Sequence, residues 1–265
     1  MVIKYFDMDE LRVCLVQADL AWEDKTRNLE QLYALVADSA PSDLVVLPEM
    51  FATGFTMNAE ANAEEPNGEA VIWMQKLAKE RAAVVTGSLI IKDEGNFYNR
   101  LFWVEPDGTI ITYNKRHLFS LAGEEKIYSA GTERVLITYK GWRIMPQVCY
   151  DLRFPVWCRN DLQYDLLYFV ANWPERRSYP WKQLLIARAI ENQAYVIGVN
   201  RVGNDGNDVY HSGDSAAIDP LGAYVAALKP GQVTTQVVTI SKSEIQNVRS
   251  RFGFLKDRDD FTIKS

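Results

Sequence analysis

Histidine is almost missing from this sequence: His117 and His211 are the only two in 265 residues. There is no H-E-x-x-H run, so a histidine-rich zinc site cannot be assembled and no metal is expected. Cysteine is scarce too. Cys14, Cys149 and Cys158 are odd in number and have no C-x-x-C spacing, which argues against a disulfide framework and for a reducing, cytoplasmic compartment. Positive charge is not in surplus: 29 Lys and Arg against 35 Asp and Glu leave a net charge of −6. That excludes the broad basic footprint of a nucleic-acid or anionic-membrane binder, and any anionic ligand must be met by local charge. No apolar run approaches the ~18 residues of a membrane span, and Met1–Glu10 lacks the apolar centre of a signal peptide. Neither G-x-x-x-x-G-K-[ST] nor G-x-G-x-x-G occurs, so no nucleotide cofactor, and no other cofactor, is expected.

What is present is an ordinary globular composition, 48% hydrophobic and 24% charged. Periodicity predicts strands at 11–18, 43–49, 83–91, 98–105, 109–114, 134–139, 142–149, 165–171, 194–200, 213–218, 222–228 and 233–240. Helical spacing falls over 26–37, with Leu29, Leu32, Tyr33 and Val36, and again over 69–81 and 180–193. Leu44–Leu47 and Leu166–Val170 are continuous apolar runs, as expected for central strands covered on both faces. The order β-α-β-α-β-β-β occurs twice, over 11–114 and 142–228. This predicts an α/β fold with two mixed sheets packed face to face and helices outside, a four-layer αββα sandwich. No linker marks a boundary, so 1–265 reads as a single domain with a core over 11–240. The polar tail 241–265 folds either over this domain or over a partner subunit.

Two of the buried strands run into reactive side chains, Glu49 after Leu44–Pro48 and Cys149 after Trp142–Val148, and α/β folds place ligands at the carboxyl ends of central strands. Taken alone, Glu49 is also readable as a surface acid and Cys149 as an inert buried thiol. Lys115 follows a third strand. An ammonium beside the thiol would favour the thiolate and face a developing oxyanion.

Leu47-Pro48-Glu49-Met50-Phe51, Lys115-Arg116-His117-Leu118-Phe119 and Cys149-Tyr150-Asp151-Leu152-Arg153-Phe154-Pro155 resemble, in order and spacing, the three catalytic blocks of the nitrilase (carbon-nitrogen hydrolase) superfamily. Ala171–Pro174, Ala187–Asn192, Val199–Gly203 and Ser212–Ser215 match further family segments, so the resemblance spans about 11–240. Lys115–Gly131 and Val148–Asn172 look most like the bacterial omega-amidases, which hydrolyse 2-oxoglutaramate or 2-oxosuccinamate. The resemblance implies Cys149 as nucleophile, Glu49 as general base, and Lys115 with the Tyr150 backbone N–H as oxyanion donors. It also implies an assisting glutamate, Glu124 in preference to Glu125, and a homodimer.

A small-molecule amide ending in a carboxylate needs a cation, and Arg153 is the candidate; its alternative work is to pair internally with Asp151. Asn172 and Trp173 are expected to line the pocket, although Trp173, like Phe55 and Phe119, is readable either as wall or as core. His117 reads as a scaffold histidine and His211 as a loop residue; Cys14 is placed in the first strand and Cys158 in a helix after the nucleophile block. Family members often carry glycine shortly before the cysteine, whereas Met145-Pro146-Gln147 stands here, which questions the strand pairing at Pro146. Two other readings keep their place: the same triad acting on deaminated glutathione or an N-carbamoyl amino acid, and a non-catalytic binding module.

Overall fold

The computed structural model describes residues 9–263, so the stretch read for a signal peptide lies almost wholly outside the described residues, as do the last two residues of the tail. In chain order the elements are β1 (Glu10–Gln17), α1 (Lys25–Ala37), β2 (Leu44–Val46), α2 (Ala59–Asn62), α3 (Glu69–Arg81), β3 (Val84–Asp93), β4 (Asn96–Val104) and β5 (Ile110–Asn114). There follow β6 (Ile137–Tyr139), β7 (Trp142–Val148), β8 (Leu166–Ala171), α4 (Ser178–Asn192), β9 (Tyr195–Asn200), β10 (Val202–Asn204) and β11 (Tyr210–Ser212). The chain closes with β12 (Ala216–Ile218), β13 (Tyr224–Ala227), β14 (Thr234–Ser241) and α5 (Lys242–Arg251).

Local chemistry sets the helices. The Asp24 side chain caps α1 by accepting from the Arg27 N–H at 3.1 Å, and the apolar stripe Leu29, Leu32 and Val36 is buried, worth about 1.5–3 kcal/mol for each side chain. On α4, Trp181 and Leu185 lie so close to β9 that a Cβ at Gly198 would stand 2.6–2.7 Å from them, which is why a glycine interrupts that apolar strand.

Two six-stranded mixed sheets result, ordered β14-β1-β2-β3-β4-β5 and β13-β12-β9-β8-β7-β6. Each has a parallel centre, β1-β2-β3 and β7-β8-β9, and antiparallel flanks. They pack face to face through one core that joins side chains on the first sheet's inner face, such as Val13, Leu15, Val46 and Trp103, to Ile144, Tyr168 and Val170 of the second. Thr86 and Tyr168 share a hydroxyl hydrogen bond of 2.7 Å across that interface. The outer face of the first sheet is covered by α1 and α3 and that of the second by α4, giving the expected αββα layers. No helix of the described residues is long and apolar enough to cross a membrane.

The structure corrects the expected elements in several places. The strand 43–49 ends at Val46, because Pro48 removes a donor and Met50 turns left-handed at φ 44°. The strand 213–218 begins only at Ala216, since Gly213 and Asp214 both have positive φ. The second half does not repeat the first: a 3₁₀ turn at Cys149–Arg153 replaces its first helix, and the short hairpin β10-β11 is added. Cys158 therefore sits in a turn, not a helix. His211 is on β11, not in a loop. Pro146 keeps its pairing with Tyr168 of β8, and β6 reaches only Ile144, so Pro146 has a neighbouring strand on one side alone. The tail folds back on its own domain: α5 buries Ile245 and Val248, and Arg249 reaches Asp165 and the Gln193 carbonyl.

Candidate active site

The ends of β2, β5 and β7 converge. Glu49, Lys115 and Cys149 lie 66 and 34 residues apart in the chain, yet Lys115 Nζ donates to Glu49 Oε1 at 2.9 Å, and Glu49 is near enough to Cys149 to raise its thiol. Lys115 also donates to both oxygens of Glu124, at 3.0 and 2.9 Å. All three charged side chains are buried, at 0–1% exposure. Glu125, by contrast, points to solvent, so of the two loop acids it is Glu124 that joins the cluster.

Backbone geometry aims each group. Cys149 has φ 43°, a left-handed corner between β7 and its 3₁₀ turn that a non-glycine residue adopts only under strain. Lys115 is pinned at both backbone groups, its N–H to the Asn99 carbonyl at 3.0 Å and its C=O by the Gly131 N–H at 2.9 Å. A Cβ on Gly131 would fall 2.2 Å from the Asn114 carbonyl, so only glycine permits this crossing. Glu124 is set by the left-handed Gly123 before it, and its Oε2 accepts from the Phe119 N–H at 2.5 Å.

Burial dominates the electrostatics. Burial works against the Lys115 charge, but Glu124 and then Glu49 reverse this and hold the ammonium well above its ordinary pKa. Burial raises Glu124 above the usual carboxylate range, Lys115 opposing the rise and Glu49 adding to it. Burial likewise pushes the Cys149 thiol well up, with Glu49 adding to it and Lys115 failing to outweigh them. Lys115 does favour the thiolate, as expected, but burial and Glu49 outweigh it and keep the thiol protonated.

Cys149 lies at the floor of a cavity of about 470 Å³. Tyr150, Arg153, Asn172 and Trp173 line it as expected, and Phe55 and Phe119 prove to be wall. Arg153 stacks on Trp173, 4.8 Å from the ring centroid. The internal Arg153–Asp151 pair is not formed; Asp151 is taken up by Tyr113, His117 and the Val148 N–H. His117 is the scaffold residue expected, bonded to Asp151 at 2.8 Å and stacked on Phe154 at 3.6 Å. Asn172 does more than line the wall: its backbone N–H donates to Glu49 Oε2 at 2.8 Å.

Several cavity residues escaped the sequence reading. Arg176 and Arg177 bring two more cations to the wall, Arg177 lying 5.1 Å over the Phe119 ring. Nothing in the Pro174-Glu175-Arg176-Arg177 run by itself tells these arginines from those of a solvated turn. His211 also lines the cavity, 2% exposed, and burial helped by Arg201 draws its pKa down to about 4, so it stands neutral. Asn99, fully buried on β4 beside Glu49 and Glu124, was hidden among strand residues of mixed polarity.

This convergence of carboxylate, ammonium and thiol in an αββα sandwich defines a carbon-nitrogen hydrolase, and the chain belongs to that family, whose model matches residues 12–250. Among its relatives, an omega-amidase YafV of Yersinia enterocolitica is 46% identical over 256 residues, covering 97% of this chain and 100% of that one. A 2-oxoglutaramate amidase of Bacillus subtilis is 34% identical over 81% of this chain and 85% of its own. The crystal structure of XC1258 from Xanthomonas campestris, a CN-hydrolase superfamily protein with an arsenic adduct in the active site, superposes with a TM-score of 0.93. It is 45% identical, over 96% of this chain and 99% of that one.

Proposed function

We propose that this protein is an omega-amidase that hydrolyses the terminal amide of 2-oxoglutaramate or 2-oxosuccinamate to the 2-oxo dicarboxylate and ammonia, through a thioester on Cys149. The observation that carries this reading is a buried Glu49–Lys115–Glu124 cluster behind a cysteine, under a cavity walled by Arg153, Arg176 and Arg177. A carboxylate at the far end of the substrate answers those arginines. The relatives named as omega-amidase and 2-oxoglutaramate amidase support the same substrate class.

In this mechanism the Cys149 thiol gives its proton to Glu49 as sulfur attacks the amide carbon. Lys115 and the Tyr150 N–H, the latter in the first turn of a 3₁₀ segment where N–H groups have no partner inside the turn, stabilise the oxyanion. As the tetrahedral species collapses, Glu49 returns the proton to the departing nitrogen, and ammonia leaves a thioester. Glu49 then takes a proton from water as the hydroxyl attacks the thioester. Collapse expels the sulfur, which recovers its proton from Glu49. Glu124 keeps the Lys115 ammonium aimed.

The cavity is roomier than a five-carbon keto-amide fills, which favours a second reading in which the same triad takes a longer carboxylate-bearing amide such as deaminated glutathione or an N-carbamoyl amino acid. Ammonia release from 2-oxoglutaramate, beside 2-oxosuccinamate, glutamine and the longer amides, with Cys149→Ala as blank, tests both. Turnover of the keto-amides supports the first reading, turnover of the longer amides alone the second, and no turnover of any of them leaves a binding module. We further propose that the chain works in the cytoplasm as one domain paired into a homodimer; a monomer on native sizing at micromolar concentration would count against the pairing.

A further inference from the structure

Asn99 stands where no step of the proposed chemistry needs a reacting group. Its side-chain nitrogen donates to Glu49 Oε1 at 2.8 Å and to Glu124 Oε1 at 3.1 Å, so one amide bridges both carboxylates. Its own backbone carbonyl accepts the Lys115 N–H at 3.0 Å. A single residue near the start of the buried part of β4 thus touches all three charged members of the cluster. The far end of the same side chain has no such support: Asn99 Oδ1 is buried without a hydrogen-bond partner. Leaving a buried carbonyl unpaired costs free energy, and native proteins seldom do so without another requirement at the site. The orientation is forced, since turning the amide over would set its oxygen against two carboxylates.

The charge arithmetic explains what the nitrogen does. Glu49 and Glu124 share one ammonium, and both Oε1 atoms lie within hydrogen-bond reach of the same two donors, Lys115 Nζ and Asn99 Nδ2. Without the second donor the two carboxylates would compete for Lys115 and repel each other, adding to the rise that burial already imposes on Glu124. The other ionisable groups around them, Cys149 and Tyr128, are acids held neutral by burial and cannot replace a donor cation. Tyr128 is moreover committed to the Thr56 carbonyl at 2.6 Å.

We propose that Asn99 is a positioning residue that holds Glu49 turned toward Cys149 by clamping it to Glu124 with one amide nitrogen, the second donor that lets the two carboxylates share one ammonium. This rests on Glu49 acting as the base. Asn99→Asp keeps the shape and replaces the donor with a further carboxylate, while Asn99→Ala removes the group. Loss of the donor is expected to lower kcat by about 10²-fold with KM little changed, because the reacting groups lose alignment and not the substrate's contacts. It also moves the acidic limb of kcat/KM up by about one pH unit, more in Asn99→Asp than in Asn99→Ala.

Alkylation of Cys149 by iodoacetamide, followed by peptide mass across pH 5–9, reports the same base without relying on any amide being a substrate. A wild-type alkylation profile that falls on the acid side, displaced upward in both variants, supports the proposal even if 2-oxoglutaramate is not turned over. Wild-type rates and an undisplaced profile in Asn99→Asp overturn it. So does a uniform loss of rate with no displacement of the limb, which marks a packing role. If Asn99→Ala is too unstable to purify, the isosteric Asp variant decides the matter by itself. Failure of the omega-amidase reading shows separately, as absence of turnover in the unmutated enzyme with the alkylation result intact.

Discussion

Asn172 grips Glu49 twice, its backbone N–H on Glu49 Oε2 at 2.8 Å and its side-chain nitrogen on the Glu49 carbonyl at 2.5 Å. Glu49 follows β2 of one sheet and Asn172 follows β8 of the other, so the carboxylate is held by both halves of the sandwich. Its orientation is a property of the sheet packing and not of a loop. Asn172→Ala should keep the backbone bond, lose the side-chain bond, and lower turnover by about 10-fold, the scale of one lost hydrogen bond at a reacting group. Steady-state kinetics on the keto-amides measure this; a wild-type kcat would show that the backbone bond alone suffices.

Removal of the nucleophile should be absolute in effect and mild in structure. Cys149→Ala is expected to lower turnover by at least about 10³-fold, while the circular dichroism and melting temperature stay close to those of the parent. Residual rates within tenfold of the parent would exclude a thioester route.

Replacing Lys115 by Met keeps much of the volume and strands two buried carboxylates without their cation. The expected loss is about 3–5 kcal/mol of stability, the usual cost of breaking a buried ion pair by removing one partner. Urea unfolding reads it. Lys115→Met with Glu124→Gln should recover part of that loss without recovering activity, because the repulsion is relieved but the oxyanion donor is still missing.

Arg153 stacks on Trp173 and has no ion pair among the described residues, so its charge is free for a ligand. Arg153→Met should raise KM for carboxylate-bearing amides by about 10-fold or more, on the order of one charge-assisted hydrogen bond, and leave a neutral amide such as butyramide unaffected. Equal effects on both substrates would mean that Arg153 shapes the cavity and does not read the carboxylate.

All three thiols are held above their ordinary pKa by burial as the largest cause. Their folded-state pKa values are raised, so this contribution to stability is complete below the unfolded thiol pKa and declines as pH rises beyond it. Stability should therefore fall above about pH 9, by up to about 1.4 kcal/mol per pH unit for each thiol. Urea midpoints between pH 8 and 10.5 test this, and Cys14→Ala and Cys158→Ala should each flatten the slope.

Much of this was legible in the sequence because strand and helix periods are written in side chains that must be buried. The runs Leu44–Leu47 and Leu166–Val170 and the stripe Leu29, Leu32 and Val36 led directly to the central strands and α1. The convergence of Glu49, Lys115 and Cys149 was legible only through the likeness of their flanking residues to a family, since separation along the chain carries no distance. What stayed hidden depends on tertiary contact. Asn99 looks like any polar member of a strand until Glu124 arrives from a turn 25 residues on. Arg177 looks solvated until Phe119 is laid beneath it. His211 and the short β10-β11 hairpin carry no period long enough to count.

The pairing of β1 with β14, Glu10 beside Ser241 and Gln17 beside Thr234, leaves the first sheet incomplete until β14 has been synthesised. On the ribosome β1 emerges first and finds β2 early, but its other edge stays bare until the last strand is made. That edge is a template on which a second nascent chain can pair. Closure across more than two hundred residues is a long-range contact of the kind that slows folding. A synonymous recoding that slows translation would lengthen that exposure, and a circular permutant with β14 joined ahead of β1 would remove it.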